Sequence, residues 1–153
     1  MNSTELADLF RKGFFIPDLV SDSKAKVLEE MVQVLVDAGK VKSKSLVLET
    51  LKKRETLGST GIGKGVAIPH SRTLAVSRIH IVVGISRKGI NYDAVDKKKV
   101  HLFFLILAPP QEDVNRYLPV LGKIVELMRD SKIRRSLMKS KDFSSFLNVI
   151  QGG

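Results

Sequence analysis

A glycine-rich segment that ends in a histidine is the part of this sequence best suited to chemistry. Residues 58–70 read GSTGIGKGVAIPH, and Pro69 fixes the backbone directly before His70. Glycines at alternating positions let backbone N–H groups approach one another without an intervening Cβ, an arrangement that suits phosphate oxygens. A neutral imidazole keeps one ring nitrogen free near neutral pH, because its ordinary pKa is about 6.5. The segment therefore indicates a histidine presented as a nucleophile.

Groups near His70 in the sequence could hold the oxygens of a phosphoryl group. Phosphoryl transfer needs little beyond alignment and donors for those oxygens. The hydroxyls and backbone N–H groups nearby belong to Ser59, Thr60, Gly61, Gly63 and Ser71. Arg54 precedes His70 by sixteen residues and offers a planar, permanently charged fork. An arginine in the last turn of a helix also complements the helix dipole at the surface, so both roles are open for Arg54.

The spacing of the glycines and histidines disfavours nucleotide and metal sites. A P-loop needs Ser or Thr after its Gly-Lys and leads from strand to helix, whereas Gly65 follows Lys64 here and the predicted order is helix to strand. The dinucleotide fingerprint fails through the same reversed order. His80 and His101 fall in apolar strands apart from His70, where a core histidine is the expected role. We expect no metal and no cofactor.

Helices are predicted before, between and after the strands. The candidate N-cap residues are Ser3, Ser23, Ser43 and Asn115, and the first two helices are expected to stop at Gly13 and Gly39. Pro119 would then lie in the first turn of the helix after Asn115, where its missing N–H costs nothing. Residues 131–138 and 143–150 complete the chain as two short helices.

Three segments between these helices are predicted strands. Residues 66–68 suit a short strand that delivers His70 to a sheet edge or end. Alternating apolar residues at 79–85 predict a strand with one buried face, and the nearly continuous apolar run 100–107 predicts a central strand covered on both faces. This order predicts an α/β fold, a three-layer α/β/α sandwich with a mixed central sheet, in a single domain spanning 1–153.

The composition is that of a globular chain with a strong positive charge. Hydrophobic residues make up 43%, and 26 Lys+Arg against 16 Asp+Glu give a net charge of +10. The excess falls in clusters at 97–99 and 132–141, where a solvated face explains it better than a nucleic-acid site, because few aromatics lie beside it for base stacking. The lack of cysteine fits a reducing cytoplasm, and no segment has the length of a membrane span.

Residues 58–70 closely resemble the phosphorylation-site signature of the fructose/mannitol-type enzyme IIA domains of the bacterial sugar phosphotransferase system (PTS). The nitrogen-regulatory branch of that family is the most similar. The resemblance covers most of the chain, from the helix before Ser43 through the strand end at 105–109 to the closing helices. It implies that His70 carries a phosphoryl group and that Arg54 sits where these domains carry their phosphate-stabilising arginine.

One position departs from the pattern of the family. Its members usually place a second histidine just before a leucine in the segment that follows the Ala-Pro strand end, and here Tyr117 precedes Leu118. A tyrosine can donate one hydrogen bond to a phosphate but cannot become a cation near neutral pH. We expect Tyr117 to bind phosphate together with Thr60, Gly61 and Ser71.

The resemblance implies a cytoplasmic phosphotransferase component that is not embedded in a membrane. It would accept a phosphoryl group on His70 from an HPr-like donor and either pass it to a IIB domain or use it as a regulatory switch on a target protein. The sequence contains no IIB or membrane segment, which favours nitrogen regulation over sugar transport. The alternative is a protein-binding module that keeps the IIA fold without phosphorylation, and we expect no nucleic-acid partner.

Overall fold

The computed structural model describes residues 1–112 and 114–153, which form alternating helices and strands. The helices are α1 (Ser3–Ala7), α2 (Lys24–Asp37), α3 (Lys44–Thr56), α4 (Tyr117–Met128), α5 (Ser131–Lys139) and α6 (Phe143–Gly152). The strands are β1 (Phe15–Ile16), β2 (Gly61–Gly63), β3 (Val66–Ala67), β4 (His70–Arg72), β5 (His80–Ile90) and β6 (Val100–Ala108). Among the described residues, none of the helices is both long enough and apolar enough to cross a membrane.

The strands form one mixed sheet in the order β1-β5-β6-β3-β2, with β4 also paired to β6. The long antiparallel pair β5–β6 is the centre of this sheet, and β1 lies parallel to β5. Both β3 and β4 run parallel to β6 on its other side, the first beside Leu102 and the second beside Ile106. The predicted mixed sheet and the central position of β6 are confirmed.

Helices cover both faces of the sheet. Phe104 and Ile106 of β6 share a core with Ile124 of α4 and Phe146 of α6. The intervening residues, such as Phe103, point the other way into a second core. That second core includes Leu28 and Met31 of α2 and Leu51 of α3. The predicted three-layer α/β/α sandwich is therefore confirmed, because alternating side chains of β6 feed two separate cores.

The two faces of β5 differ from the prediction. The alternation of Ile81, Val83 and Ile85 predicts one buried face, but every residue of β5 from His80 to Ser86 is buried. Val82 is covered by the α2–α3 layer, and Gly84 leaves room for Leu19, whose side chain lies 2.8 Å from where a Cβ would be. A strand covered by helices on both sides has no face exposed to solvent, so both of its faces are buried.

Two of the predicted N-caps are confirmed. The Ser23 side chain accepts a hydrogen bond from the Lys26 N–H at the start of α2, and the Ser43 side chain accepts one from the Leu46 N–H at the start of α3. Each satisfies a backbone donor that has no partner within its helix. The chain leaves α2 at Gly39, whose positive φ of 73° allows the turn.

The other two predicted caps are wrong. Asn2 caps α1 in place of Ser3, because its carboxamide oxygen accepts from the Glu5 N–H at 2.8 Å. The helix also ends at Ala7, well before Gly13. At α4 the cap position is Arg116, without a side-chain cap, and Asn115 instead accepts a hydrogen bond from Arg72 at 3.4 Å. At α1 a neighbouring residue takes the cap position, and at α4 the side chain expected to cap the helix is hydrogen-bonded to a residue of β4.

A break between β3 and β4 presents the histidine. Pro69 separates the two strands and its carbonyl accepts from the Ile106 N–H at 2.9 Å, so the carbonyl of Ile68 points away from β6. On that side, Ile68 donates its N–H to the Thr60 carbonyl at 2.9 Å. The Thr60 N–H does not return the bond, because it donates to Glu55 at 3.0 Å. The Ile68 carbonyl is thus left available next to His70.

Candidate functional site

The imidazole of His70 is held in one orientation by the backbone. His70 is the first residue of β4, is half-buried, and lies beside Ile106 of β6. Its Nδ1 lies 2.7 Å from the Ile68 carbonyl oxygen. A carbonyl oxygen can only accept a hydrogen bond, so in the neutral ring Nδ1 carries the proton and Nε2 keeps its lone pair. Nε2 is therefore the nitrogen able to act as a nucleophile.

The surroundings of His70 favour the neutral ring. Burial lowers the pKa of His70 below its ordinary value, and the positive charge of Arg54 lowers it further. The hydrogen bond to the Ile68 carbonyl and the carboxylate of Glu55 act in the opposite direction without reversing the shift. At physiological pH the imidazole is uncharged, which leaves its lone pair free to attack.

The end of α3 brings Arg54 and Glu55 to the site. Arg54 lies in the last turn of α3, is half-buried, and donates from Nη1 to the carbonyl of Gly58 at 2.9 Å. This bond folds its side chain back over the glycine-rich segment. The positive charge of Arg54 contributes to the lowering of the His70 pKa. The guanidinium keeps further N–H donors that can face an anion.

Glu55 is the centre of a buried polar network behind the loop. One carboxylate oxygen accepts the Thr60 hydroxyl at 2.5 Å, and the other lies 2.8 Å from Nζ of Lys24. The Thr60 hydroxyl also lies 3.1 Å from the hydroxyl of Tyr92. Burial, followed by the charge of Glu55, raises the pKa of Tyr92 far above its ordinary value. The network fixes the start of the loop to α2, α3 and the segment after β5.

The predicted phosphate-binding groups of Thr60, Gly61 and Ser71 have partners within the protein. The Thr60 hydroxyl belongs to the Glu55 network, and the Gly61 N–H donates to the Ser59 hydroxyl at 3.0 Å. The Ser71 hydroxyl donates to the Arg72 carbonyl at 3.0 Å. Direct binding of phosphate by these three groups would require each to exchange its present partner.

Tyr117 lies next to His70 at the start of α4. The centroids of the two rings are 6.0 Å apart, and Tyr117 is only 7% exposed. Burial raises the pKa of its phenol to about 12, so the hydroxyl stays protonated and neutral at physiological pH. The structure thus brings Tyr117 to the site, where its hydroxyl can donate one hydrogen bond but supplies no charge.

Arg72 supplies a second positive charge that the sequence analysis missed. Its guanidinium carbon lies 4.5 Å from the centroid of the Tyr117 ring, a cation–π contact. It also donates to the carbonyls of Pro109 and Pro110 at 3.3 and 3.4 Å. Residues two apart in a strand share a face, so the pattern His70-x-Arg72 was the available signal. Arg72 therefore stands beside His70 and Tyr117 with its charge intact.

The remaining histidines lie away from this site. Burial, with the nearby charge of Lys40, lowers the pKa of His80 to about 4. His101 lies on β6 with Nδ1 at 2.9 Å from the Ser86 carbonyl. Within residues 1–112 and 114–153, no three His, Cys, Asp or Glu side chains are grouped as a metal ion would need.

Comparison with known proteins identifies both nitrogen regulatory and fructose-specific PTS relatives. The chain is 30% identical over 145 residues to a nitrogen regulatory protein of Bradyrhizobium diazoefficiens, covering 95% of this chain and 94% of that protein. It is 32% identical over 146 residues to the PTS system fructose-specific EIIABC component of Bacillus subtilis, covering 95% of this chain and 23% of that protein. The chain thus spans about a quarter of the latter.

A solved structure shares the whole fold. The crystal structure of the nitrogen regulatory protein IIA-Ntr from Neisseria meningitidis superimposes with a TM-score of 0.86 at 31% sequence identity, covering 95% of this chain and 99% of that one. The family profile described as "Phosphoenolpyruvate-dependent sugar phosphotransferase system, EIIA 2" matches residues 8–152. This chain is accordingly a member of the EIIA type 2 family of the phosphotransferase system.

Proposed function

We propose that His70 is the phosphoryl acceptor of this chain, taking the group from an HPr-like phosphocarrier protein. The observation that carries the proposal is the hydrogen bond between Nδ1 of His70 and the Ile68 carbonyl, because it leaves Nε2 as the free nucleophile. The lowered pKa of the ring keeps that nitrogen unprotonated at physiological pH. The proposal is further supported by membership of the EIIA family.

The transfer exchanges one nitrogen–phosphorus bond for another. Nε2 of His70 donates its lone pair to the phosphorus as the bond to the donor's histidine nitrogen breaks, and that nitrogen keeps the bonding pair. The proton stays on Nδ1 of His70 and remains hydrogen-bonded to the Ile68 carbonyl, which stabilises the positive charge that develops on the ring. Arg54 and Arg72 stabilise the equatorial oxygens, with the hydroxyl of Tyr117 as a further donor. No metal ion or cofactor takes part.

Exposed apolar side chains beside the site support a protein as the partner. Leu57 follows α3 and is 83% exposed, and Leu74 follows β4 and is 76% exposed. Ile62 of β2 and Leu118 of α4 are exposed as well. Each belongs to a segment that also supplies a site residue, and exposed apolar side chains gathered around a site favour docking of a protein surface. In our proposal this surface receives first the donor and then a IIB domain or a regulatory target, in the cytoplasm.

Tyr117 favours one alternative, a binding module that has the fold but is not phosphorylated. Its neutral phenol cannot supply the charge of a second histidine. Arg72, stacked on the same ring, weakens this argument because it brings a permanent charge to the same place. The two functions differ in whether the purified chain takes up phosphate.

The test is incubation with phosphoenolpyruvate, enzyme I and a histidine phosphocarrier, followed by intact-mass analysis and phosphorus NMR. We expect acid-labile phosphate on the wild type, on Nε2, and none on His70→Ala. His80→Gln is the matched control and should be labelled like the wild type. Labelling of His70→Ala would remove His70 from its role. Failure of the wild type to take up phosphate from cognate donors would favour the binding module, which predicts equal partner affinity for wild type and His70→Ala.

A further inference from the structure

A positively charged cavity lies at the opposite end of the sheet from His70. It has a volume of about 370 Å³ and lies between α5 and the turn that connects β2 to β3. Leu102 of β6 lines it, whereas His70 pairs with Ile106, four residues further along that strand. At about 3.3 Å per residue, the two places are about 13 Å apart along β6. The cavity is thus separate from the proposed phosphorylation site.

The polar lining of the cavity is almost entirely basic. Its side chains are those of Lys64, His101, Leu102, Ser131, Arg134, Arg135, Met138 and Lys139. Four of these residues carry permanent or near-permanent positive charges, and none of the lining residues is acidic. Among the described residues, those four cations form no ion pair with a carboxylate. Lys64, Arg135 and Lys139 are exposed and Arg134 is half-buried, so water hydrates these charges, and an anion that enters the cavity is attracted by all four.

Helix α5 builds one wall of the cavity with a regular stripe. Arg134 and Arg135 each lie three or four residues from both Ser131 and Met138, the spacing that places side chains on one face of a helix. The sequence analysis interpreted the cluster at 132–141 as a solvated face. Most of that cluster is exposed in the structure, and part of it, Arg134, Arg135 and Lys139, also lines a concave space.

Hydrogen bonds at both ends of α5 hold this wall in place. Arg134 donates from Nη1 to the carbonyl of Met128, the last residue of α4, at 2.6 Å. Arg87 of β5 donates to the carbonyls of Met138 and Ser140 at the other end. The guanidinium of Arg134 is therefore already oriented, and its remaining N–H groups are available to a ligand.

The opposite wall is a tight turn that depends on glycine. Gly65 has a φ of 79°, and its carbonyl accepts from the N–H groups of His101 and Leu102 at 2.8 and 3.0 Å. Lys64 also has a positive φ, of 58°, and its N–H donates to Asp96 at 3.0 Å. The turn thus fixes the backbone of Lys64 at the rim and leaves its ammonium free.

We propose that this cavity binds a small phosphorylated molecule. Arginine forks match the oxygens of a phosphate, and the lysines of the rim add charge. Leu102 and Met138 offer an apolar surface to the rest of the ligand. A concave space of this size suits a small molecule. The lining contains no Phe, Tyr or Trp on which nucleic-acid bases would stack, so RNA and DNA are disfavoured. The proposal does not depend on the phosphorylation of His70.

The test is titration of the full chain with inorganic pyrophosphate at physiological salt, followed by calorimetry and backbone NMR. The informative variant is Arg135→Gln with Lys139→Gln, because both side chains are exposed and their loss should leave the fold intact. The matched control is Lys12→Gln with Lys42→Gln, which removes the same charge from exposed positions outside the cavity lining. We expect the first variant to bind at least about tenfold more weakly and the control to bind like the wild type.

Further measurements separate this site from others. His70→Ala should bind pyrophosphate as the wild type does, and the NMR shifts should fall on α5 and on the turn at 64–65. Equal weakening in both charge variants would overturn the proposal, since it would show a general attraction to a basic chain. So would shifts centred on His70, or an absence of binding. If an RNA or DNA oligonucleotide bound through the same residues more tightly than pyrophosphate does, the proposal of a small-molecule ligand would be wrong.

Discussion

The two ends of β6 carry positive charge in different ways. Next to Ile106, His70 is held by a carbonyl and flanked by Arg54 and Arg72, each of which already donates hydrogen bonds to the backbone. Next to Leu102, the cavity gathers four cations without a paired carboxylate among the described residues. The first end has few charges and one nucleophile in a defined orientation. The second has more charge and no group oriented for attack.

This difference separates two uses of the same chemistry. In our proposals the His70 end serves a reaction, which needs one atom aimed at another, and the hydrogen bonds there fix that orientation. The cavity end is proposed to bind an anion reversibly, which needs net attraction, and the number of its cations and its concave shape supply that attraction. A variant that affects one end should therefore leave the other unchanged, and the following predictions test that separation.

The largest effect is expected from Arg54→Ala. Loss of this guanidinium removes a donor to the phosphoryl oxygens, and we expect the rate of phosphoryl acceptance to fall by about 100-fold. Affinity for pyrophosphate in the cavity should not change. Lys53→Ala is the control, because the Lys53 side chain is exposed and forms a surface ion pair with Glu49, and it should cost less than about twofold. The rate is measured by single-turnover transfer from the phosphorylated donor. Transfer at the wild-type rate by Arg54→Ala would contradict the assignment.

A smaller effect, on stability, is expected from Gly89→Ala at the other end. Gly89 has a φ of 83°, and a Cβ there would lie 2.7 Å from the His101 ring and 2.9 Å from Cβ of Lys99. We expect the free energy of unfolding to fall by about 2 kcal/mol and pyrophosphate to bind more weakly, because His101 lines the cavity. Phosphoryl acceptance by the folded protein should stay the same.

Gly122→Ala is the control for that substitution. Gly122 lies within α4, and a Cβ there would meet no atom within 4 Å. Alanine favours the helix, so the free energy of unfolding should rise by up to about 1 kcal/mol. Urea unfolding measures both variants. If the two glycines gave the same change, the close packing around Gly89 would not be the cause.

The smallest effect is expected from Tyr117→Ala. The ring holds the guanidinium of Arg72 beside His70, so its removal should slow phosphoryl acceptance by about tenfold, in keeping with the strength of a cation–π contact. Tyr117→Phe keeps the ring and should slow acceptance by less than about threefold. If both variants lost the same activity, the phenolic hydroxyl rather than the stacked ring would be the group that matters.

The sequence predicts the layers of the fold because each layer has a local pattern. The apolar run of β6 requires cover on both sides, and the helical spacing in α2 and α4 supplies it. The start of α4 was missed for a different reason. Asn115 pairs with Arg72, a residue far away in the sequence, and no local preference for an N-cap contains that contact.

The candidate site was predictable where its residues lie close together along the chain. His70 and its loop form one segment, and Arg54 is close to it along the chain. The polar network was not predictable, because it joins Glu55, Thr60, Tyr92 and Lys24 from four separate segments. Arg72 could have been predicted from the sequence, because residues two apart in a strand lie on the same face and Arg72 follows His70 by two residues.

The Ile68 carbonyl accepts from the His70 ring rather than from a neighbouring strand, and this affects how the site tolerates change. Glu55 accepts from the Thr60 N–H, which would otherwise donate to the Ile68 carbonyl. That carbonyl oxygen is therefore available to accept from Nδ1 of His70, and the bond fixes the tautomer of the ring. In many proteins a carboxylate side chain fixes the tautomer of a functional histidine, and a single substitution can delete it. Here the acceptor is a main-chain oxygen, which no substitution deletes, and Glu55 is the side chain that keeps it available. In our proposal the other side chains of this surface can therefore diversify for new partners while Nε2 of His70 keeps its direction.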